Sequence, residues 1–320
     1  MGIRRFALTG AAGYVAPRHM KAISETGNAL VAVLDPHDSV GILDSYSPNA
    51  RFFTEPERFD RHLEKLKRKG EDHRVHYMSI CSPNYLHDAH IRIALRVGAD
   101  AICEKPLVLN PWNVDALHQL EEETGKHIYC TLQLRYHPSI LSLREREKTA
   151  GASGKRAIDL TYITSRGAWY LHSWKGDIQR SGGLASNIGV HFFDMLIWIY
   201  GGVRDYSVHL DERTRTSGYL ELERAHVRWY LSIDPSDLLA IGRPESRTFR
   251  SIVIDGEEMD FTGGFENLHT EAYARILSGR GVTAAQCRPV IQLLHDIRES
   301  DVTDSSSPTH PLVSSGALGT

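Results

Sequence analysis

Residues 4–16 read RRFALTGAAGYVA, an apolar run that ends in two glycines three apart and passes into a helical sequence. A buried strand, a turn without side chains and a helix form the opening unit of a doubly wound sheet. The bare turn lets backbone N–H groups and the positive end of the helix approach a pyrophosphate. The spacing here, G-x-x-G-x-x-A, is one residue longer than the common G-x-G-x-x-G, so the turn needs support from the next strand. That support is a second apolar run, ALVAVLD, ending in Asp35 about 20 residues beyond the turn, where a carboxylate accepts ribose hydroxyls. A 2'-phosphate would meet a negative charge there, and Pro36 and His37 offer it no strong cation, so NAD is expected over NADP. Gly10, Ala12, Gly13, Tyr14 and Asp35 are the first cofactor-binding candidates.

Outward from this stretch, VHYMSICS, ADAICEK and HIYCTLQLR continue the series of short β-rich runs, each separated by enough chain for a crossover helix. Alternation of this kind predicts a parallel Rossmann sheet over residues 1–137. In the segment NYLHDAHIRIALRVG, Leu86, Ala89, His90, Ile93, Ala94 and Val97 recur at helical spacing, and Gly98 stops the helix. After about Ser139 the pattern changes to a helix, a strand AIDLTYITSRG, a polar loop and a very apolar helix from Ile188 to Tyr200. The later runs YSVHLDERTRT, YLELERAHVRWYLSI and RTFRSIVIDG alternate and read as long strands of a mostly antiparallel sheet with one wet face. An α+β domain for substrate binding and oligomerisation is expected over 138–304, and a tail of low packing potential over 305–320.

Composition narrows the function. With 320 residues, 41% hydrophobic content and a net charge of -3, the chain can bury two cores, but it presents no overall positive field for nucleic acid. The four cysteines, Cys81, Cys103, Cys130 and Cys287, lack C-x-x-C spacing, and the first three sit in apolar strand-like runs and read as core thiols, so a reduced, cytoplasmic setting is expected. The sequence shows no leader-like stretch at Met1 and no apolar run near the roughly 18 residues of a membrane span, so no membrane partner is expected.

Ligands of open α/β sheets collect outside the carboxyl ends of the strands. Glu104, Lys105 and Pro106 lie at such an end, as do Ser82, Pro83, Asn84 and His87. Proline keeps Lys105 out of the helical region, which leaves its amine able to point into a cleft and exchange a proton with a substrate hydroxyl. Further on, Asn187, His191 and Asp194 recur at four and three along one face of an otherwise apolar helix. The unperturbed histidine side chain changes charge near neutral pH, which makes His191 the second acid/base candidate. The loop SRGAWYLHSWKGDIQRSGG before it mixes Arg166, Lys175 and Arg180 with Trp169, Tyr170 and Trp174, a set suited to oxyanions and sugar rings. No metal is called for.

Taken together, GAAGYVA, LDP, CSPNYLH, EKP, LQLR and GGLASNIGVHFFDMLIWIYG resemble the glucose-fructose oxidoreductase / inositol dehydrogenase (Gfo/Idh/MocA) family over nearly the whole chain, to about Ser300. The resemblance is closest to its sugar-nucleotide branch, the UDP-N-acetyl-2-amino-2-deoxy-glucuronate 3-dehydrogenases, on GAAGYVAP, CSPNYLHDAHI and NIGVHFFDMLIW. It implies NAD-dependent oxidation of the C3 hydroxyl of UDP-N-acetyl-glucosaminuronate, ahead of a transaminase in surface-polysaccharide synthesis, by a homotetramer. It further implies that Lys105 and His191 are the catalytic pair, that Asn187 lies beside the sugar, and that Ser82, Pro83, Asn84, His87 and Glu104 line the dinucleotide. Where the family often has Asn-Arg and an aromatic, this chain has Leu134, Arg135 and Tyr136, which leaves the roles of Gln133 and Arg135 open. Two alternatives stand beside this one: a dehydrogenase of a free sugar, inositol or other polyol, and an NAD-binding regulator without chemistry.

Overall fold

The computed structural model describes residues 2–149, 154–259, 261, 263–303 and 306–314. The chain divides into two compact units: residues 1–136 with 265–288, and residues 137–264 with 289–320.

The first unit carries a seven-stranded sheet. In chain order its strands are β1 (Arg5–Thr9), β2 (Ala29–Leu34), β3 (Arg51–Phe53), β4 (Tyr77–Ile80), β5 (Asp100–Cys103) and β6 (Ile128–Cys130). The second unit contributes β7 (Arg156–Thr164), β8 (Val203–Asp211), β9 (Arg215–Leu222), β10 (Ala225–Ser232), β11 (Thr248–Ile254) and β12 (Glu257–Glu258), after which β13 (Val282–Thr283) returns to the first sheet. The first sheet runs β13-β6-β5-β4-β1-β2-β3, parallel except for β13. Strand order reverses between β1 and β4, so the glycine turn after β1 and the chain after β4 flank the switch point where open α/β sheets bind ligands. This is the Rossmann architecture the sequence predicts. Phe6, Leu8, Val33 and Ile102 fill its core, and all are buried because both faces of a parallel sheet are covered by helices.

Three expectations need correction here. The helix Leu268–Leu277 was expected in the second domain, yet it belongs to the first unit, where it packs against the helix Ala16–Glu25. Its Tyr273 and Ile276 join the same cluster as Phe6 and Leu8, an apolar demand that outweighs position in the chain. The helix Ala284–Glu299 then passes from one unit to the other at Pro289. On the helix His87–Arg96 the buried face is His87, Ile91, Ala94 and Leu95, whereas Ala89 is exposed, so the face is rotated from the one the spacing suggests.

The second sheet runs β12-β11-β7-β10-β9-β8, with β7 and β10 parallel and the other pairs antiparallel. The runs YSVHLDERTRT and YLELERAHVRWYLSI are not single strands: each turns, at Glu212–Thr214 and at Glu223–Arg224. Alternation continues through both turns, which hid them, and at the second Arg224 N–H donates to the Tyr200 carbonyl. Residues 306–314 also pack more than their composition predicts. His310 is buried, stacks on Tyr230 with centroids 5.6 Å apart and bonds Thr161 at 3.1 Å, while Leu312 and Val313 lie against Ile163, Tyr230 and Leu238.

Candidate active site

The glycine turn is built by close approach. Gly10 has φ +81°, and a Cβ there would meet the backbone of Cys81 and Ser82 at 2.5 Å, so the turn after β1 lies directly on the chain after β4. Any other residue would have to part the two. The helix Ala16–Glu25 begins without a side-chain cap; Ala16 N–H donates to the Gly13 carbonyl at 3.1 Å and Arg18 N–H to the Val15 carbonyl at 3.0 Å, so what the helix start offers an anion is the positive end of its dipole. Ala12 and Tyr14 are both exposed on this turn. Asp35 sits at the end of β2, where Oδ2 accepts the Ala12 N–H at 2.9 Å and Oδ1 accepts the His37 N–H at 2.8 Å. A carboxylate has about four lone-pair sites, so each oxygen keeps capacity for a ribose hydroxyl. Uncapped helix, bare turn and terminal acid fit a dinucleotide.

At the neighbouring strand ends, Ser82 and Asn84 are buried and Pro83 is half-buried, with Ser82 Oγ 2.8 Å from His90 Nδ1. His87 was expected against the dinucleotide, but its ring is fully buried behind these loops. Nδ1 lies 2.8 Å from the Pro106 carbonyl and Nε2 2.9 Å from the Ser82 carbonyl. Burial pushes its pKa down, against the two carbonyl contacts, so the neutral ring donates through one nitrogen. His87 therefore lies between the loop after β4 and the loop after β5 that carries Lys105, and its one N–H bonds only one of the two carbonyls.

Glu104 departs from expectation in the same way. Its carboxylate is interior: Oε1 takes hydrogen bonds from His19 Nε2 at 2.8 Å, Thr131 Oγ1 at 2.9 Å and His269 Nε2 at 3.3 Å. Oε2 accepts the backbone N–H of Lys105 at 3.3 Å. Burial works to raise its pKa, but the donors from His19 and His269 outweigh that and hold it well below the usual carboxylate range. An acid spoken for in this way is a support for Lys105 more than a cofactor contact. Lys105 itself is half-buried at the end of β5, before a cis bond to Pro106. Sequence reasoning missed His19 and His269; the chance to find them lay in two histidines on apolar helix faces, each without an obvious partner nearby in sequence.

Gln133 begins the short 3₁₀ turn Gln133–Tyr136, and its Oε1 is buried without a hydrogen-bond partner among the described residues. Such an acceptor invites a donor from a ligand. Arg135 is buried beside it and reaches the Gln286 carbonyl at 3.4 Å.

In the second unit the three polar residues do not share one regular helix. Asn187 lies in a π-type turn, Ala185–Gly189, and His191 and Asp194 in the α-helix Val190–Tyr200. Such wide turns recur at functional sites. At its end Gly189 is closely packed: a Cβ there would meet the Leu231 side chain at 2.6 Å and that of Phe193 at 2.8 Å. Asn187 Nδ2 donates to the Tyr170 hydroxyl, Asp194 is buried, and His191 is half-buried. The cation-rich loop folds into short turns, Trp169–His172, Trp174–Gly176 and Ile178–Ser181. Lys175 Nζ sits 4.1 Å from the Trp174 ring centroid and 5.8 Å from that of Trp169. Arg166 is exposed, and Arg180 pairs with Asp177 at 3.2 Å.

Comparison with known proteins agrees with this geometry. The model of the oxidoreductase family, NAD-binding Rossmann fold, matches residues 4–132, and that of the same family's C-terminal alpha/beta domain matches 156–241. The WlbA (WbpB) dehydrogenase from Thermus thermophilus, solved in complex with NAD and alpha-ketoglutarate, is 50% identical, with a TM-score of 0.92 over 97% of this chain and 100% of its own. The same dehydrogenase in complex with NAD and UDP-GlcNAcA aligns at 49% identity, a TM-score of 0.92 and the same coverage. Among curated proteins, the D-glucoside 3-dehydrogenase of Escherichia coli (strain K12) is 27% identical over 43% of this chain and 40% of its own length. The inositol 2-dehydrogenase of Rhizobium meliloti (strain 1021) is 27% identical over 62% of this chain and 55% of its own length. The alignments thus span about half, or less, of these curated relatives.

Proposed function

Because the chain belongs to the Gfo/Idh/MocA family of NAD-binding oxidoreductases, we propose that it oxidises the C3 hydroxyl of UDP-N-acetyl-glucosaminuronate to the 3-keto sugar nucleotide. The observation that carries this reading is the 49% identity, over 97% of the chain, to a dehydrogenase crystallised with NAD and UDP-GlcNAcA. NAD, when bound, supplies the hydride acceptor. Gly10, Gly13 and the uncapped helix end hold its pyrophosphate, and Asp35 takes its ribose hydroxyls. Lys105 accepts the proton of the C3 hydroxyl as the general base, and His191 binds or polarises the same oxygen. Asn187, kept in place by Tyr170, and Asp194 orient the sugar, and Gln133 Oε1 accepts a hydrogen bond from one of its hydroxyls. Lys175, Arg166 and Arg180 meet pyrophosphate and carboxylate, with Trp174 stiffening the lysine.

Oxidation of a secondary alcohol by NAD is uphill at neutral pH, so the product must be drawn off. A transaminase that consumes the 3-keto sugar, as in lipopolysaccharide O-antigen synthesis, does this, and a keto acid such as 2-oxoglutarate that reoxidises NADH on the enzyme does it too. The first fits a cytoplasmic homotetramer associated through the second sheet. Among the described residues no helix is long and apolar enough to cross a membrane. The test is a substrate panel: 2-hydroxy acid formed from a keto acid in the presence of NAD, with UDP-N-acetyl-glucosaminuronate, UDP-N-acetylglucosamine, free glucosides and inositol. The reading expects kcat/KM to be highest for the sugar nucleotide acid by at least tenfold; a preference for a free polyol would replace it with the alternative.

A further inference from the structure

The first unit buries a directed chain of hydrogen bonds that no dinucleotide needs. Ser79 Oγ lies 2.6 Å from the Tyr273 hydroxyl, which lies 2.7 Å from His19 Nδ1, and His19 Nε2 lies 2.8 Å from Glu104 Oε1. All four residues are buried, and His269 joins at the same carboxylate oxygen. The tautomer follows from the partners: a carboxylate can only accept, so His19 donates from Nε2 and accepts the tyrosine proton at Nδ1. The chain thus ends on one charge, the Glu104 carboxylate, one peptide bond from Lys105 and bonded to its N–H.

We propose that His19, His269 and Tyr273 are positioning residues that keep Glu104 ionised beneath Lys105, and that this buried charge sets the proton affinity of the Lys105 amine. The proposal deepens the role of Lys105 given above and rests on it only for its effect on turnover. A buried carboxylate stripped of donors would take a proton. His19 and His87 are kept neutral by burial, Tyr273, Cys81, Cys103 and Cys130 are pushed far up by it, and the nearest cation behind the network is Arg18. Glu104 is therefore a buried charge bonded to the backbone of Lys105. A unit charge roughly 10 Å from an amine, at an effective dielectric of about 20, moves its pKa by about one unit. The sign is fixed: an anion favours the ammonium, so neutralising Glu104 frees the base at lower pH.

The test is competitive acylation of Lys105 as a function of pH, read by peptide mass spectrometry on the intact protein. This gives the amine's pKa whether or not the lysine is catalytic. Glu104→Gln should lower it by about one unit, His19→Phe should lower it in the same sense, and the double variant should add little to Glu104→Gln alone. His19→Gln, which keeps an N–H donor at similar reach, should restore the wild-type value. An unchanged Lys105 pKa in a folded Glu104→Gln protein overturns the proposal and reduces the network to a structural one. If the pKa moves while the acid limb of the kcat profile does not, the inference stands and Lys105 is removed as the base.

Discussion

Two loops of this molecule hold lysines proposed for the same reaction, and they are held by opposite means. Lys105 stands at the end of β5 in a region where almost nothing is free to move. Gly10 lies against the Cys81 backbone, His87 is packed between the carbonyls of Ser82 and Pro106, and Glu104 is fixed by His19, His269 and Thr131. Lys175 stands in a run of three short helical turns, among the exposed Trp169, Ile178 and Arg180, with its amine over the face of Trp174. The first arrangement suits a group that must meet one proton in one place, for which a misplacement of about 1 Å can cost about 100-fold. The second suits recognition of spread-out negative charge, where an exposed cation contributes through long-range attraction and tolerates several positions. The difference predicts large, chemistry-specific losses around Lys105 and small, binding-specific losses around Lys175.

The largest effect that would test this contrast is at Lys105. Lys105→Ala should lower single-turnover hydride transfer by about 100- to 10,000-fold while NAD still binds within a few-fold, because the phosphates and ribose are held elsewhere. Near wild-type transfer would end the distinction. Next is Gly10→Ala, which forces a Cβ to within 2.5 Å of backbone that cannot yield. It should weaken NAD binding by at least about 100-fold, measured by titration on protein shown to be folded, or lower the melting temperature sharply. Asp35→Ala is milder. The wild type should prefer NAD over NADP by at least about tenfold, and the variant should narrow that gap, through weaker NAD binding, without touching the pH profile. Smallest is Arg180→Ala, an exposed residue already paired with Asp177, which should raise KM for the sugar nucleotide a few-fold, more at low salt than at high, and leave kcat alone. A loss in kcat there would show that the two loops are not different in kind.

Legibility in the sequence divides along the same line. Strand, glycine turn, helix and terminal acid are local patterns, so the Rossmann unit could be read from RRFALTGAAGYVA and ALVAVLD, and Lys105 from the strand end before proline. The supports of Lys105 could not. His19, Glu104, Tyr273 and His269 are brought together from positions up to 254 residues apart, and only the covering of one core by the helix Leu268–Leu277 joins them. That helix also defeats a domain boundary drawn in chain order, since burial ignores sequence distance. In the second unit the hairpin turns at Glu212–Thr214 and Glu223–Arg224 carry charged residues that continue the alternation of a strand, so period alone could not mark them. The π-type turn at Asn187 was hidden for a related reason: the spacing of Asn187, His191 and Asp194 fits a regular helix and carries no mark of the wider turn.

The central claim is that the C3 hydrogen of a UDP-sugar acid leaves as hydride to NAD bound on this chain. It is tested most directly with UDP-N-acetyl-glucosaminuronate deuterated at C3, incubated with the enzyme, NAD and 2-oxoglutarate and followed by mass spectrometry. The account predicts a 3-keto sugar nucleotide that has lost its deuterium and an equal amount of 2-hydroxyglutarate that carries it at C2. A sugar nucleotide that retains deuterium at C3, with no labelled hydroxy acid formed, would contradict it.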